Sequence, residues 1–274
     1  MRIATYRVGD RSSFGVIDGD RISDLATPAL PDLETALAVG PLPLRPATLA
    51  LADITLLPVV TAPRKIFCVG HNYEEHRLET NGPRVGHPPI FTRFADTLTP
   101  DNGPIICPAS STMLDYEGEL AVVVGKGGRH ISEADAMDHV AGFTCANDAS
   151  VRDWQRHTGQ FTPGKNFPAT CGLGPWLVTP DEIDELGQVT LTTRLNGTIM
   201  QQGHIEQMIF PIPTIIAYLS AFTPLSPGDL ILTGTPGGVG ARRDPPLWMK
   251  PGDRVEIEIS AIGTLSNDIV AERV

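Results

Sequence analysis

Two glutamates separated by one residue are the first sign of chemistry. In Asp115-Tyr116-Glu117-Gly118-Glu119-Leu120, an extended chain points residues i and i+2 to one side, so Glu117 and Glu119 project together. Leu120 and Val122 then face a core. Like charges this close repel unless a proton or a cation sits between them. Gly118 leaves the opposite side open to close backbone approach. A third carboxylate, Asp148, closes the apolar run Cys145-Ala146-Asn147-Asp148. Oxygen-only donors of this kind suit Mg²⁺ or Mn²⁺, one cation per chain, with water and substrate oxygens completing the octahedron. A solvated strand face is the plainer reading of Glu-x-Glu, but the adjoining apolar run argues against it.

A base stands upstream. In Asn72-Tyr73-Glu74-Glu75-His76-Arg77-Leu78-Glu79, a helix places His76 and Glu79 one turn apart. A carboxylate on the imidazole fixes its tautomer and raises its basicity, as a general base requires. A surface ion pair is the plainer reading. The spacing is not the His-Glu-x-x-His of a zinc protease. Lys165, in Pro163-Gly164-Lys165-Asn166-Phe167, reads alone as a surface lysine. The glycine-rich Thr233–Gly240 segment lacks the Lys-Ser/Thr of a P-loop and the spacing of a dinucleotide turn, although its amides can cradle a carboxylate.

These residues need strands to hold them. Ile3–Val8, Phe14–Ile17 and Arg21–Leu25 read as short strands with a hairpin turn at Asp18-Gly19, and Asp32–Val39 as a short helix. A proline-punctuated stretch follows, so residues 1–62 form a small β-rich module with its linker, and 63–274 the domain that carries the residues above. In the latter, Lys65–Val69, Leu120–Val124, Ala141–Ala146, Leu230–Thr233 and Arg254–Ile259 read as strands. Tyr73–Thr80 reads as a polar helix and Pro213–Phe222 as an apolar one. Ser132-Glu133-Ala134-Asp135 resembles a capping box opening a helix to about His139. Strands outnumber helices without a regular βαβ rhythm, which predicts an α+β, strand-dominated fold.

Composition narrows the partners. The chain has 274 residues, 41% of them apolar, with 27 glycines and 25 prolines, which favours short strands and shaped turns over a helical bundle. A net charge of −11 argues against nucleic acid and against an anionic membrane surface. No apolar run reaches the ~18 residues of a membrane span, and the first residues lack a signal peptide's apolar stretch. Four dispersed cysteines without a Cys-x-x-Cys pair read as buried reduced thiols, fitting a cytoplasmic location.

Taken in order, Lys65–Glu79, Asp115–Gly125, Gly142–Gln155, Gly164–Phe167, Gly174–Val178, Asn196-Gly197, Pro227–Gly240 and Gly252-Asp253 resemble the fumarylacetoacetate hydrolase family, on its acylpyruvase and 2-hydroxyhepta-2,4-diene-1,7-dioate isomerase-like branch. The resemblance implies a mixed β-sandwich roll, a homodimer, and a divalent metal acting on a small 2-oxo or 2,4-dioxo acid. It implies Glu117, Glu119 and Asp148 as metal ligands, His76 and Glu79 as a mobile dyad that activates water, and Lys165 as a cation near the substrate. Arg152, Gln155 and Thr235 match positions near the pocket. Arg93 stands where many relatives carry Lys, and its bidentate fork implies contact with a different substrate end group. Ile205 stands where relatives often have Thr. The expected reaction is hydrolysis of a C–C bond in an acylpyruvate-type acid, releasing pyruvate and a carboxylic acid. The alternatives are oxaloacetate decarboxylation, keto–enol or muconate-type isomerisation and sugar-acid dehydration at the same site, or a non-catalytic metal- and oxo-acid-binding protein.

Overall fold

The structure, a computed structural model, describes residues 1–43 and 45–273. β-Branched and aliphatic runs bounded by glycine and proline assemble into a strand-dominated α+β fold with two main sheets. The large sheet has twelve strands. Its central order is Arg2–Val8, Cys171–Val178, Val140–Asp148, Gly118–Val124, Leu230–Leu232, Ile66–Val69 and Ile90–Arg93. Most neighbours are antiparallel, but Leu230–Leu232 runs parallel to Ile66–Val69. The second sheet has five strands, in the order Thr198–His204, Thr190–Leu195, Arg254–Ile259, Gly263–Ala271 and Pro104–Cys107. Its Thr190–Thr198 hairpin turns at Asn196-Gly197, both in the left-handed region at φ 52° and 78°, which this pair of residues tolerates.

The sheets pack face to face. Leu120, Val122, Phe143 and Cys145 of the large sheet meet Leu191, Ile257, Ile259 and Leu265 of the smaller one. The opposite face of the large sheet, with Ala121, Val123, Ala146 and Leu173, is covered by Leu33, Ala36, Val59 and Val60 from the N-terminal segment. Every residue of Gly118–Val124 is therefore buried, so it reads as a continuous apolar run rather than an alternating one. Each fully buried aliphatic side chain of this kind contributes about 1.5–3 kcal/mol. Leu120 and Val122 face a core as expected, and so does the other side, which Glu119 shares with Ala121 and Val123.

The N-terminal strand joins the same sheet through Arg2↔Val178 and Ile3↔Leu177, so residues 1–62 and 63–274 share one sheet. The short helix Leu33–Val39 begins where Asp32 caps it, its Oδ1 accepting the Thr35 N–H at 2.7 Å. The apolar helix is Ile212–Phe222, with Ile215, Ile216 and Leu219 on its buried face. Two expectations are corrected. The Ser132 box forms, its Oγ accepting the Asp135 N–H at 3.2 Å, but opens only a 3₁₀ turn, Ala136–His139, because the chain enters the Val140–Asp148 strand at the next residue. The third N-terminal strand shrinks to Arg21–Ile22.

Candidate active site

Strand order brings the three carboxylates together. Glu117 and Glu119 flank the start of Gly118–Val124, and Asp148 ends the neighbouring Val140–Asp148 strand. Backbone bonds lock this corner: the Asp148 N–H donates to the Glu117 carbonyl at 2.8 Å, and the Glu117 N–H to Asn147 Oδ1 at 3.0 Å. The three side chains each offer an oxygen within 4.8 Å of the others, and all are buried.

Their charges are compensated unequally. Lys165 Nζ bridges Glu117 Oε2 at 2.6 Å and Asp148 Oδ2 at 2.5 Å. Arg152 sits 2.6 Å from Glu117 Oε1, and Arg93 pairs with Asp148 from behind. Burial opposes the Glu117 charge, but Arg152 and Lys165 outweigh it and hold this carboxyl well below its ordinary range. Glu119 has no cationic side chain within ion-pair distance among the described residues; it accepts the Gly234 N–H at 2.7 Å. Burial, then Asp148 and Glu117, push it well above the ordinary range. The four buried carboxylates Asp115, Glu117, Glu119 and Asp148 thus face three cations, Arg93, Arg152 and Lys165. The donor set fits a divalent cation, which would relieve Glu119 and leave the site net positive for an anionic substrate.

His76 and Glu79 meet, as the helical spacing predicts. His76 and Glu79 lie on the Glu74–Glu79 helix with Nδ1 and Oε1 2.8 Å apart. His76 lines a cavity of about 180 Å³ with the triad and Lys165, and Glu79 sits behind it. The other Glu79 oxygen accepts the Gly238 N–H at 3.0 Å. The glycine-rich turn does cradle carboxylates, but they are the protein's own: Gly234 holds Glu119, Gly238 holds Glu79, and Gly240 and Ala241 hold Asp115. Gly238 is required there, at φ 103° with a built Cβ 2.3 Å from the Met200 carbonyl oxygen.

Arg152, Gln155 and Thr235 also line the cavity. Arg152 is already engaged, its Nε on Asp115 at 2.8 Å and its Nη1 on Gln155 at 2.9 Å. The Thr235 hydroxyl donates to the Gly118 carbonyl at 2.8 Å and accepts from Gln201, so it braces the strand. Lys165 is 1% exposed, because Gly164 lets its short helix close on Gln155: a Cβ there would lie 2.4 Å from the Gln155 nitrogen. Arg93 is a correction. It is buried behind Asp148, bonded to the Ala149 carbonyl and Thr170, and does not line the cavity, so the expected substrate contact is not made. Ile205 lies against a separate apolar hollow.

Sequence reasoning missed several lining or supporting residues. Asp115 is fully buried and anchors both Arg152 and the glycine-rich turn. Its place in the same acidic segment was the available signal. Asn72 ties the dyad's helix to Thr233 and Phe210. His71 lines the cavity with its ring centre 5.6 Å from that of His76, and burial, then His76, lower its pKa. Arg156 and Arg242 also line it.

Residues 65–270 match the family described as Fumarylacetoacetate (FAA) hydrolase C-terminal. The mitochondrial oxaloacetate tautomerase of Xenopus laevis is 41% identical, with 98% of this chain and 90% of the relative covered. Oxaloacetate tautomerase YisK of Bacillus subtilis is 43% identical over 80% of this chain and 74% of its own length. The solved fumarylacetoacetate hydrolase of Exiguobacterium antarcticum superposes with a TM-score of 0.89 at 32% identity, covering 99% of this chain and all of that one. The cytoplasmic expectation is overturned by the relatives named mitochondrial. Unpaired cysteines, three of them buried, report shielding from solvent and not compartment. Motif order, two-sheet fold, buried acidic triad and family match agree: the chain belongs to the fumarylacetoacetate hydrolase family of enzymes.

Proposed function

We propose that this protein catalyses keto–enol tautomerisation of oxaloacetate or a closely similar short 2-oxo diacid, with Mg²⁺ or Mn²⁺ held by Glu117, Glu119 and Asp148. The observation that carries this reading is the placement of His76, which shares a small cavity with the triad while its Nδ1 is committed to Glu79. The oxaloacetate tautomerases among the relatives support the same substrate class over the acylpyruvates expected from sequence.

Glu117, Glu119 and Asp148 would hold a divalent cation that would supply a Lewis acid at the oxo-acid end of the substrate. The remaining work falls to the chain. With Glu79 accepting the His76 Nδ1–H, Nε2 keeps its lone pair for the substrate. Nε2 takes a proton from C3 of the keto form, leaving an enolate whose oxygen takes a proton from solvent. In the other direction the enol oxygen gives its proton to solvent and the imidazolium returns one to C3, with Glu79 stabilising the imidazolium. A positioned base of this kind is worth about 10²–10⁴-fold. The Gly238 amide holds Glu79 and so keeps the ring from turning. Phe91 and Phe161, packed edge to face, wall the cavity and limit water at C3. Lys165 holds its proton, since Asp148 and Glu117 overcome the effect of burial, and it screens two of the three carboxylates.

The same dyad, turned on water, serves C–C hydrolysis of an acylpyruvate, which is the second reading. Following the enol absorbance of oxaloacetate, with pyruvate assayed in parallel, separates the reactions. The expected result is accelerated enol decay that stops on chelation and leaves the carbon skeleton intact. Faster cleavage of an acylpyruvate, with ¹⁸O from water entering the released acid, would favour hydrolysis. Pyruvate release from oxaloacetate would favour decarboxylation.

A further inference from the structure

The cavity has two sets of arginines that differ in what they hold. At the floor Arg152 is spent on Asp115, Glu117 and Gln155. Behind the floor Arg93 is spent on Asp148. Nearby Arg243 is tied to the Tyr116 hydroxyl at 2.9 Å and the Met200 carbonyl at 2.7 Å. Arg156 and Arg242 are different: both line the cavity and both are exposed, which places them at its mouth. Arg242 gives one nitrogen to the Thr80 carbonyl at 3.1 Å and keeps the rest of its fork. Arg156 makes no side-chain hydrogen bond or ion pair among the described residues.

The nearby carboxylates are turned elsewhere. Asp153 accepts from the Ser111 hydroxyl at 2.7 Å and from the Trp154 N–H, while Asp115 is filled by Arg152 and three amides. The pKa of Arg156 is lowered by its partial burial and then by the charges of Arg152 and Arg242, so these guanidiniums feel one another. An anion between them would remove that repulsion. The fork of Arg156 and the part of Arg242's that Thr80 leaves over stand out at one cavity mouth in a chain of net charge −11. A guanidinium fork matches a carboxylate through two parallel hydrogen bonds.

We propose that Arg156 and Arg242 form a rim subsite for the second carboxylate of a 2-oxo diacid whose oxo-acid end lies at the triad, so that the site selects dianionic over monoanionic oxo acids. This deepens the substrate class proposed above and rests on that reading. The test is calorimetry on the full chain in saturating Mn²⁺ with two acids of the same backbone, 2-oxopentanedioate and 2-oxopentanoate, and with oxalate as a probe of the triad end alone. The expected wild-type preference for the diacid is about tenfold or more. In R156A/R242A the two acids should bind within about twofold of each other, with oxalate unchanged, and R156K/R242K should retain part of the preference. No preference in the wild type, no binding of either acid, a preference that survives R156A/R242A, or an equal loss of oxalate affinity would overturn the subsite. Because binding is read rather than turnover, failure to tautomerise oxaloacetate would sink the functional reading and leave the subsite standing.

Discussion

The two walls of the cavity are built from different material. The triad stands on the most buried strands of the molecule, with Glu117, Glu119 and Asp148 at 5%, 2% and 0% exposure. The dyad stands on the six-residue helix Glu74–Glu79, which has no side-chain cap at its start and carries an exposed Leu78. Like charges crowded around a cation need a frame that does not relax, and two packed sheets supply it. A base that gains and loses a proton works from a lightly held element, where few buried contacts keep the cost of small shifts low. Glu79 on Gly238 and Thr80 on Arg242 are the tethers that keep this element in reach.

The sharpest way to break that contrast is Glu119→Gln. Glu119 has no ion pair to lose, so the metal-free variant should be at least as stable as the wild type, while metal affinity falls ~10²-fold or more and turnover is lost. Thermal melts with and without Mn²⁺ would show it as a missing metal-induced rise in Tm. Next comes His76→Asn, which should reduce turnover ~10²–10⁴-fold and leave calorimetric metal affinity within about twofold. A parallel loss of metal affinity would erase the distinction between the walls. The smallest effect is expected at the tether. Gly238→Ala puts a Cβ against the Met200 carbonyl in the left-handed region, costing about 1–2 kcal/mol of stability and withdrawing an amide from Glu79. Its kcat should fall about tenfold with metal affinity unchanged, measured by steady-state kinetics beside calorimetry.

What was legible in the sequence followed from local geometry. Glu117 and Glu119 share a side because a strand has period two, and His76 reaches Glu79 because a helix has a turn of that size. Asp148 was legible because an apolar strand ends on it. The depth of Lys165 was not, since its burial comes from Gly164 closing on Gln155 and from the carboxylates it bridges. Arg93 was legible as a departure from relatives, but the direction of its side chain depends on where the Ile90–Arg93 strand lies beside Asp148. Asp115 holds the Gly240 and Ala241 amides of a turn more than a hundred residues away in sequence, and the same turn brings Arg242 to the cavity, which no local pattern encodes.

In the proposed function His76, which shares its cavity with the triad, moves a proton at C3 of a 2-oxo diacid. Exchange of the C3 protons of oxaloacetate with deuterated solvent, followed by NMR on the Mg²⁺-loaded protein, reads that proton transfer. Wild type should accelerate exchange well above the metal-only blank without forming pyruvate, and His76→Asn should return it to the blank while still binding metal. Exchange no faster than the blank in the wild type, or undiminished exchange in His76→Asn, would rule out that role for His76.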